Sequence, residues 1–226
     1  MFEKLWRLSR EKNSRLIVAI DEEGVLKGLE GALRSLERCA VGIKLGYVAL
    51  IVLSIEKISS IISEWRDDFY FMADLKLADI PHINEQIGKR LLDAGFDGAT
   101  VHLFQRGLEE VRMEALPELI GILAMSHRSV LLDRLFETNL RYARRVGMKG
   151  VVVGARKRSI IASAKRGGFV VFSPGIGAQG GRDVTALTYG ADFEIVGRRL
   201  LIDPRLIEDA AEAYVNKQRE VLSSGA

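Results

Sequence analysis

The 226-residue sequence contains a single cysteine, Cys39, so neither an internal disulfide nor a cysteine-rich zinc site can form within it. The surrounding sequence gives Cys39 no evident nucleophilic role, and a reduced, partly buried side chain is expected. Prolines number only four, and no Pro, Gly or Ser-rich stretch divides the chain. One domain over residues 1–226 is therefore expected, and the 48% hydrophobic content is enough for one sizeable core. Long apolar runs are missing as well. The longest without a charge, Leu45 to Ile55, is too short to cross a bilayer, and Met1-Phe2-Glu3-Lys4 does not open a secretory signal. These features predict a cytoplasmic protein with no membrane partner. The three histidines, His82, His102 and His127, do not cluster at ligand spacing, so no metal is expected. The net charge of +3 is scattered, apart from Arg156-Lys157-Arg158, and offers no basic stripe for nucleic acid.

What the chain does contain is a repeated alternation. Short β-branched runs ending on polar residues or Gly occur at LIVAID (16–21), VGIKLGY (41–47), FYFMADLK (69–76), GATVHLF (98–104), LIGILAMS (119–126), GVVVGA (150–155), FVVFSPG (169–175) and FEIVGRR (193–199). Between them EGALRSLERC, IEKISSIISEW, INEQIGKRLLDAG, LFETNLRYARRVG and VTALTYGA carry apolar residues at helical spacing, several closing on Gly. Eight β/α units in so short a chain favour a closed TIM (βα)8 barrel, an α/β fold, over an open doubly wound sheet.

In such a barrel the chemistry gathers at the C-terminal ends of the strands, where Asp21, Lys44, Asp74, Lys76, His102, Ser126, Pro174 and Arg198 all fall. The stretch FMADLKLADIP (71–81) is the most unusual, because Asp74, Lys76 and Asp79 interrupt an apolar strand. Residues two apart share a strand face, so Asp74 and Lys76 project together with Met72, while Asp79 follows on the loop before Pro81. Alone, D-x-K reads as an ion pair capping a strand. Several charges converging on one mouth must compensate one another, since unpaired buried ions are costly.

The segment SPGIGAQGGR (173–182) has Gly175, Gly177 and Gly180 in the form of a dinucleotide fingerprint, but in the seventh unit with one strand left to follow. In a barrel, the loops after strands seven and eight commonly hold a phosphate on backbone N–H groups, with Gly permitting close approach. Gly197 and Arg198 close the other side, and a guanidinium binds phosphate in two-pronged fashion. A small phosphorylated substrate is the economical inference, with Gln179 in a loop able to fold over it.

With D-x-K-x-x-D-I-P, V-G-I-K-L-G-Y, S-P-G-I-G-A-Q-G-G and I-V-G-R placed on strands three, two, seven and eight, the chain resembles the orotidine 5'-phosphate decarboxylases from Leu16 to about Arg199. It is most similar to their short microbial and archaeal form. The resemblance implies conversion of orotidine 5'-phosphate to UMP and CO2, the last step of UMP biosynthesis, with no cofactor. It implies a homodimer in which Lys44, Asp74, Lys76 and the partner subunit's Asp79 form an alternating charge network beneath the pyrimidine. Asp21 and Lys44 would contact the ribose, Ser126 the pyrimidine edge, and Gln179 and Arg198 the phosphate, with Ile80 and Pro174 as apolar walls. Lys76 would stabilise the developing carbanion and donate the proton to C6.

Two departures from the family pattern stand out. Ile83 occupies the place of a threonine that hydrogen-bonds across the dimer to substrate, a loss worth about 1 kcal/mol. His127-Arg128-Ser129 replaces the usual Pro-Gly after Ser126. Two other readings stay open. Sugar-phosphate decarboxylases and hexulose-phosphate synthases share D-x-K-x-x-D but use Mg, with E-x-G-T on strand two where this chain has Lys44-Leu45-Gly46-Tyr47. A catalytically silent phosphate-binding barrel is the other.

Overall fold

A computed structural model describes residues 1–176 and 184–224. In chain order the elements are α1 (Glu3–Lys12), β1 (Leu16–Ile20), α2 (Glu23–Leu26), α3 (Leu29–Leu36), β2 (Gly42–Gly46), α4 (Tyr47–Trp65), β3 (Tyr70–Leu77), α5 (Pro81–Asp93) and β4 (Gly98–His102). There follow β5 (Glu118–Ala124), α6 (Val130–Arg145), β6 (Gly150–Val153), α7 (Arg158–Arg166), β7 (Val170–Pro174), α8 (Thr185–Thr188), β8 (Phe193–Val196) and α9 (Ile207–Ser223). Every strand pairs parallel with its sequence neighbours, and β8 closes on β1 through Leu16 opposite Glu194, giving the expected (βα)8 barrel.

Each strand is buried on both faces, which is why its sequence is nearly all apolar rather than alternating. Outward residues such as Val18, Ile43, Phe71 and Val101 pack under the helices. Inward ones, including Ile17, Met72, Ile122, Phe172 and Phe193, fill the barrel. The N-terminal end of the barrel is plugged by α1, which pushes Phe2 edge-on against Phe172 at 5.3 Å and Trp6 against Phe193 at 4.9 Å. At the lower rim Lys12 donates to the carbonyls of Ala40 and Asp68. Among the described residues the interior is filled below and opens at the strand C-termini, which is where a site is expected.

The helices depart from expectation in informative ways. Residues 55–65 form the second part of α4, whose first part begins at Tyr47 directly off β2; the break is at Ser54, with φ 60° and ψ 161°. The expected helices at 83–95 and 135–147 are found as α5 and α6, and each is closed by a glycine at positive φ, Gly95 and Gly147, as left-handed helix ends require. The segment 184–191 yields only the single turn α8. Four helices are absent from the sequence reading: α1, which plugs the barrel, and α2, α7 and α9. Among the described residues no helix is long and apolar enough to cross a membrane.

Candidate active site

A cavity of about 260 Å³ opens at the C-terminal ends of the strands. Its base is apolar, made by the inward residues Ala19, Ile122, Val152 and Ile195. Above them stand Asp21, just beyond the end of β1, Lys44 within β2, and Asp74 and Lys76 in the C-terminal half of β3. Lys44 Nζ lies 3.5 Å from Asp21 Oδ2 and 2.5 Å from Asp74 Oδ2, and Lys76 Nζ lies 2.9 Å from Asp74 Oδ1. The charges thus alternate as carboxylate, ammonium, carboxylate, ammonium. Gly46 makes room for this row, since a Cβ there would sit 2.8 Å from Asp21 Oδ1.

The electrostatics follow from that order. Burial alone would raise the Asp74 carboxyl, but the two flanking ammonium groups outweigh it and hold the pKa down at about 2. Burial would likewise lower Lys44, yet Asp74 and Asp21 outweigh it and raise it. Both groups are therefore charged at neutral pH. The buried row is one in which each ion satisfies its neighbour.

The expected strand alternation places Asp74 and Lys76 at the same mouth, but the backbone between them is not regular. Ala73 pairs with Ala99 and Leu77 with Val101, so three residues, Asp74, Leu75 and Lys76, lie opposite Thr100 alone. Lys76 takes a left-handed backbone, φ 49°, inside this bulge. Thr100, which the sequence reading passed over, accepts from the Lys76 N–H at 2.9 Å and donates to Asp74 Oδ1 at 2.9 Å. A lone hydroxyl at the same strand parity as His102 was the available signal. His102 packs on Phe104 at 4.9 Å, and its Nδ1 is buried with no protein partner. Burial, and then the Lys76 charge, lower its pKa.

The rest of the lining comes from Glu22, Met125, Ser126, Pro174, Gly175, Ile176, Gly197 and Arg198. Around the barrel β8 is four strands from β4, so Arg198 faces the Thr100 side across the mouth. Ser126, Pro174, Gly175, Gly197 and Arg198 are thus brought to the same cavity as the charged row. Gly177, Gln179 and Gly180 lie outside the described residues. Three other expected residues do not line the cavity of their own chain: Asp79 and Ile80 are exposed and Ile83 is half-buried in α5. The Asp79 carboxylate accepts from the Ile80 N–H at 2.7 Å. Buried Asn84 clamps the same residue, accepting from the Asp79 N–H at 3.2 Å and donating to its carbonyl at 2.7 Å. Among the described residues no three His, Cys, Asp or Glu side chains gather as a metal site.

Comparison with known proteins agrees with this fold. Residues 14–214 match the model of the orotidine 5'-phosphate decarboxylase / HUMPS family. A relative from Thermoplasma acidophilum, named orotidine 5'-phosphate decarboxylase, is 34% identical over 215 residues, covering 92% of this chain and 98% of that one. One of the same name from Aeropyrum pernix is 33% identical over 207 residues, 86% and 84% of the two chains. The crystal structure of orotidine 5'-monophosphate decarboxylase from Metallosphaera sedula superposes with a TM-score of 0.77 at 32% identity, covering 92% of this chain and 99% of that one.

Proposed function

The chain belongs to the orotidine 5'-phosphate decarboxylase / HUMPS family, and from that premise we propose that it converts orotidine 5'-phosphate to UMP and CO2 as the last step of UMP synthesis, using no metal or organic cofactor. The observation that carries the reading is the Asp21, Lys44, Asp74, Lys76 row, with Arg198 across the same mouth. A lysine, not a metal-binding carboxylate, projects from β2, and its ammonium already pairs with Asp21 and Asp74.

Loss of CO2 leaves the electron pair of the broken C6–C bond on C6, with little delocalisation to relieve it. The Lys76 ammonium supplies the compensating charge and then transfers one proton to C6, giving UMP and a neutral amine that is reprotonated from solvent. Asp74 Oδ1, 2.9 Å away, holds that ammonium in place. At about 4 Å and an effective dielectric near 20 such a pair is worth about 4 kcal/mol before desolvation. Arg198 and Gly175, with Gly177, Gln179, Gly180 and Gly197, take the phosphate; Asp21 and Lys44 take the ribose; Ser126 reads the pyrimidine edge beside Pro174. Binding energy from the phosphate is spent on closing the site and excluding water from C6.

The active unit in this reading is a homodimer, in which the partner subunit's Asp79, with Ile80 and Ile83, completes each mouth. Support comes from the exposed positions of Asp79 and Ile80 and from the exposed apolar Tyr47 and Ile51, which follow the same end of neighbouring β2; Ile51 is 82% exposed. The deciding assay follows the ultraviolet absorbance of orotidine 5'-phosphate with and without EDTA, using wild type and Lys76→Ala. EDTA-resistant conversion to UMP, lost in the variant while nucleotide binding persists, is expected. Wild type that binds nucleotide without turning it over, or that acts only on sugar phosphates with Mg, would overturn the proposal.

A further inference from the structure

We infer that Thr100 is the positioning residue for the reacting lysine: its single hydroxyl holds the backbone of Lys76 and the carboxylate of Asp74 in one fixed geometry. The role of Lys76 itself rests on the function proposed above.

The inference comes from the irregularity of β3. A regular strand would pair the Lys76 N–H with β4, but here three residues of β3 face one residue of β4. The N–H that the bulge displaces from the ladder is taken by the Thr100 side chain at 2.9 Å. An amide can only donate, so the hydroxyl oxygen is the acceptor and its own proton must point elsewhere. Asp74 Oδ1 lies 2.9 Å away and can only accept, which fixes the direction of the second bond. The same Oδ1 is the oxygen that pairs with Lys76 Nζ. One buried hydroxyl, 1% exposed, therefore ties together both ends of the residue proposed to deliver the proton.

This linkage accounts for the left-handed backbone of Lys76. A non-glycine residue at φ 49° is disfavoured by roughly 1 kcal/mol or more, and it persists where the surroundings over-determine it. With valine at position 100 the shape and strand preference are kept and both hydrogen bonds go. The Lys76 N–H then loses its partner in a part-buried setting, and the bulge has no polar anchor. Serine retains the hydroxyl.

The test uses wild type, Thr100→Val and Thr100→Ser as folded enzymes with matched unfolding curves. Amide exchange at Lys76, read by NMR, is expected to be protected in wild type and Thr100→Ser and accelerated at least about tenfold in Thr100→Val. Steady-state kinetics on orotidine 5'-phosphate are expected to show kcat reduced roughly 10- to 100-fold in Thr100→Val, a change typical of sub-ångström misplacement, with KM within about threefold and kcat largely restored by serine. Unchanged exchange at Lys76, unchanged kcat, or an equal loss in kcat and binding that serine does not restore would each overturn the inference. Wild type inactive on the nucleotide refutes the proposed function instead, and the exchange measurement then decides the Thr100 linkage on its own.

Discussion

Replacing Asp74 with Asn tests the charged row through stability, independently of any substrate. In the folded chain the Asp74 carboxyl titrates at about 2, against 3.8 when unperturbed. That difference corresponds to about 2 kcal/mol, since each pKa unit is worth roughly 1 kcal/mol or a little more, and the side chain is only 14% exposed, so solvent screening takes little of it. Because the folded value lies below the unfolded one, the contribution is complete above about pH 4 and is lost as pH falls through 2. By pH 2.5, close to the folded value, most of the contribution is gone. Asn keeps the shape but does not titrate. Urea unfolding of wild type and Asp74→Asn at pH 6 and pH 2.5 should show wild type ahead by about 2 kcal/mol at the higher pH and by less than about 1 at the lower. Other carboxylates titrate equally in both proteins and cancel in the difference. A gap that does not change with pH would refute the claim that Lys44 and Lys76 hold this carboxylate ionised, and with it the electrostatic basis of the site.

Four further outcomes are expected. Arg198→Ala should lose at least about 100-fold in kcat/KM for the phosphorylated substrate and far less for the phosphate-free nucleoside, checked by steady-state kinetics; equal losses would place the phosphate elsewhere. Glu194, fully buried, accepts from Tyr214 Oη at 2.8 Å, Gln218 Nε2 at 3.0 Å and the Ala186 N–H at 3.2 Å, so Glu194→Ala strands several buried donors and should cost about 3 kcal/mol in urea unfolding. A Cβ at Gly150 would stand 2.5 Å from Phe2 Cζ, and Gly150→Ala should therefore dislodge the α1 plug at a cost of about 1–3 kcal/mol, detected as a lower urea midpoint. Mixing inactive Lys76→Ala and Asp79→Ala chains should restore up to about a quarter of wild-type activity, since random dimers carry one intact site in half of the assemblies; no recovery would remove Asp79 from a shared site.

Much of the barrel is legible in the sequence because its signals are local. Runs such as LIVAI and GVVV are apolar at every position because both faces are covered, and the turns after them carry the polar residues that a packed barrel cannot place elsewhere. Asp21, Lys44, Asp74, Lys76, Ser126, Pro174 and Arg198 could be assigned to one cavity from their positions at strand ends, because a closed parallel barrel brings all those ends to one face. The helix at 55–65 was readable, while Tyr47–Leu53 was not: Tyr47, Val48 and Ile51 are apolar yet exposed, and the break at Ser54 has no periodic signature.

The sequence by itself determined the order of the strands and of five of the helices between them, and the chemistry at the strand ends, because these depend on residue type and short-range period. Only the tertiary structure decided that Lys44 stands between two carboxylates, that β3 bulges against β4 so that Thr100 takes up the Lys76 amide, and that Asp79 turns away from its own cavity. Each of these depends on how one strand or loop is set against another distant in sequence. A shift of one residue in that register changes every partner while leaving the local pattern untouched.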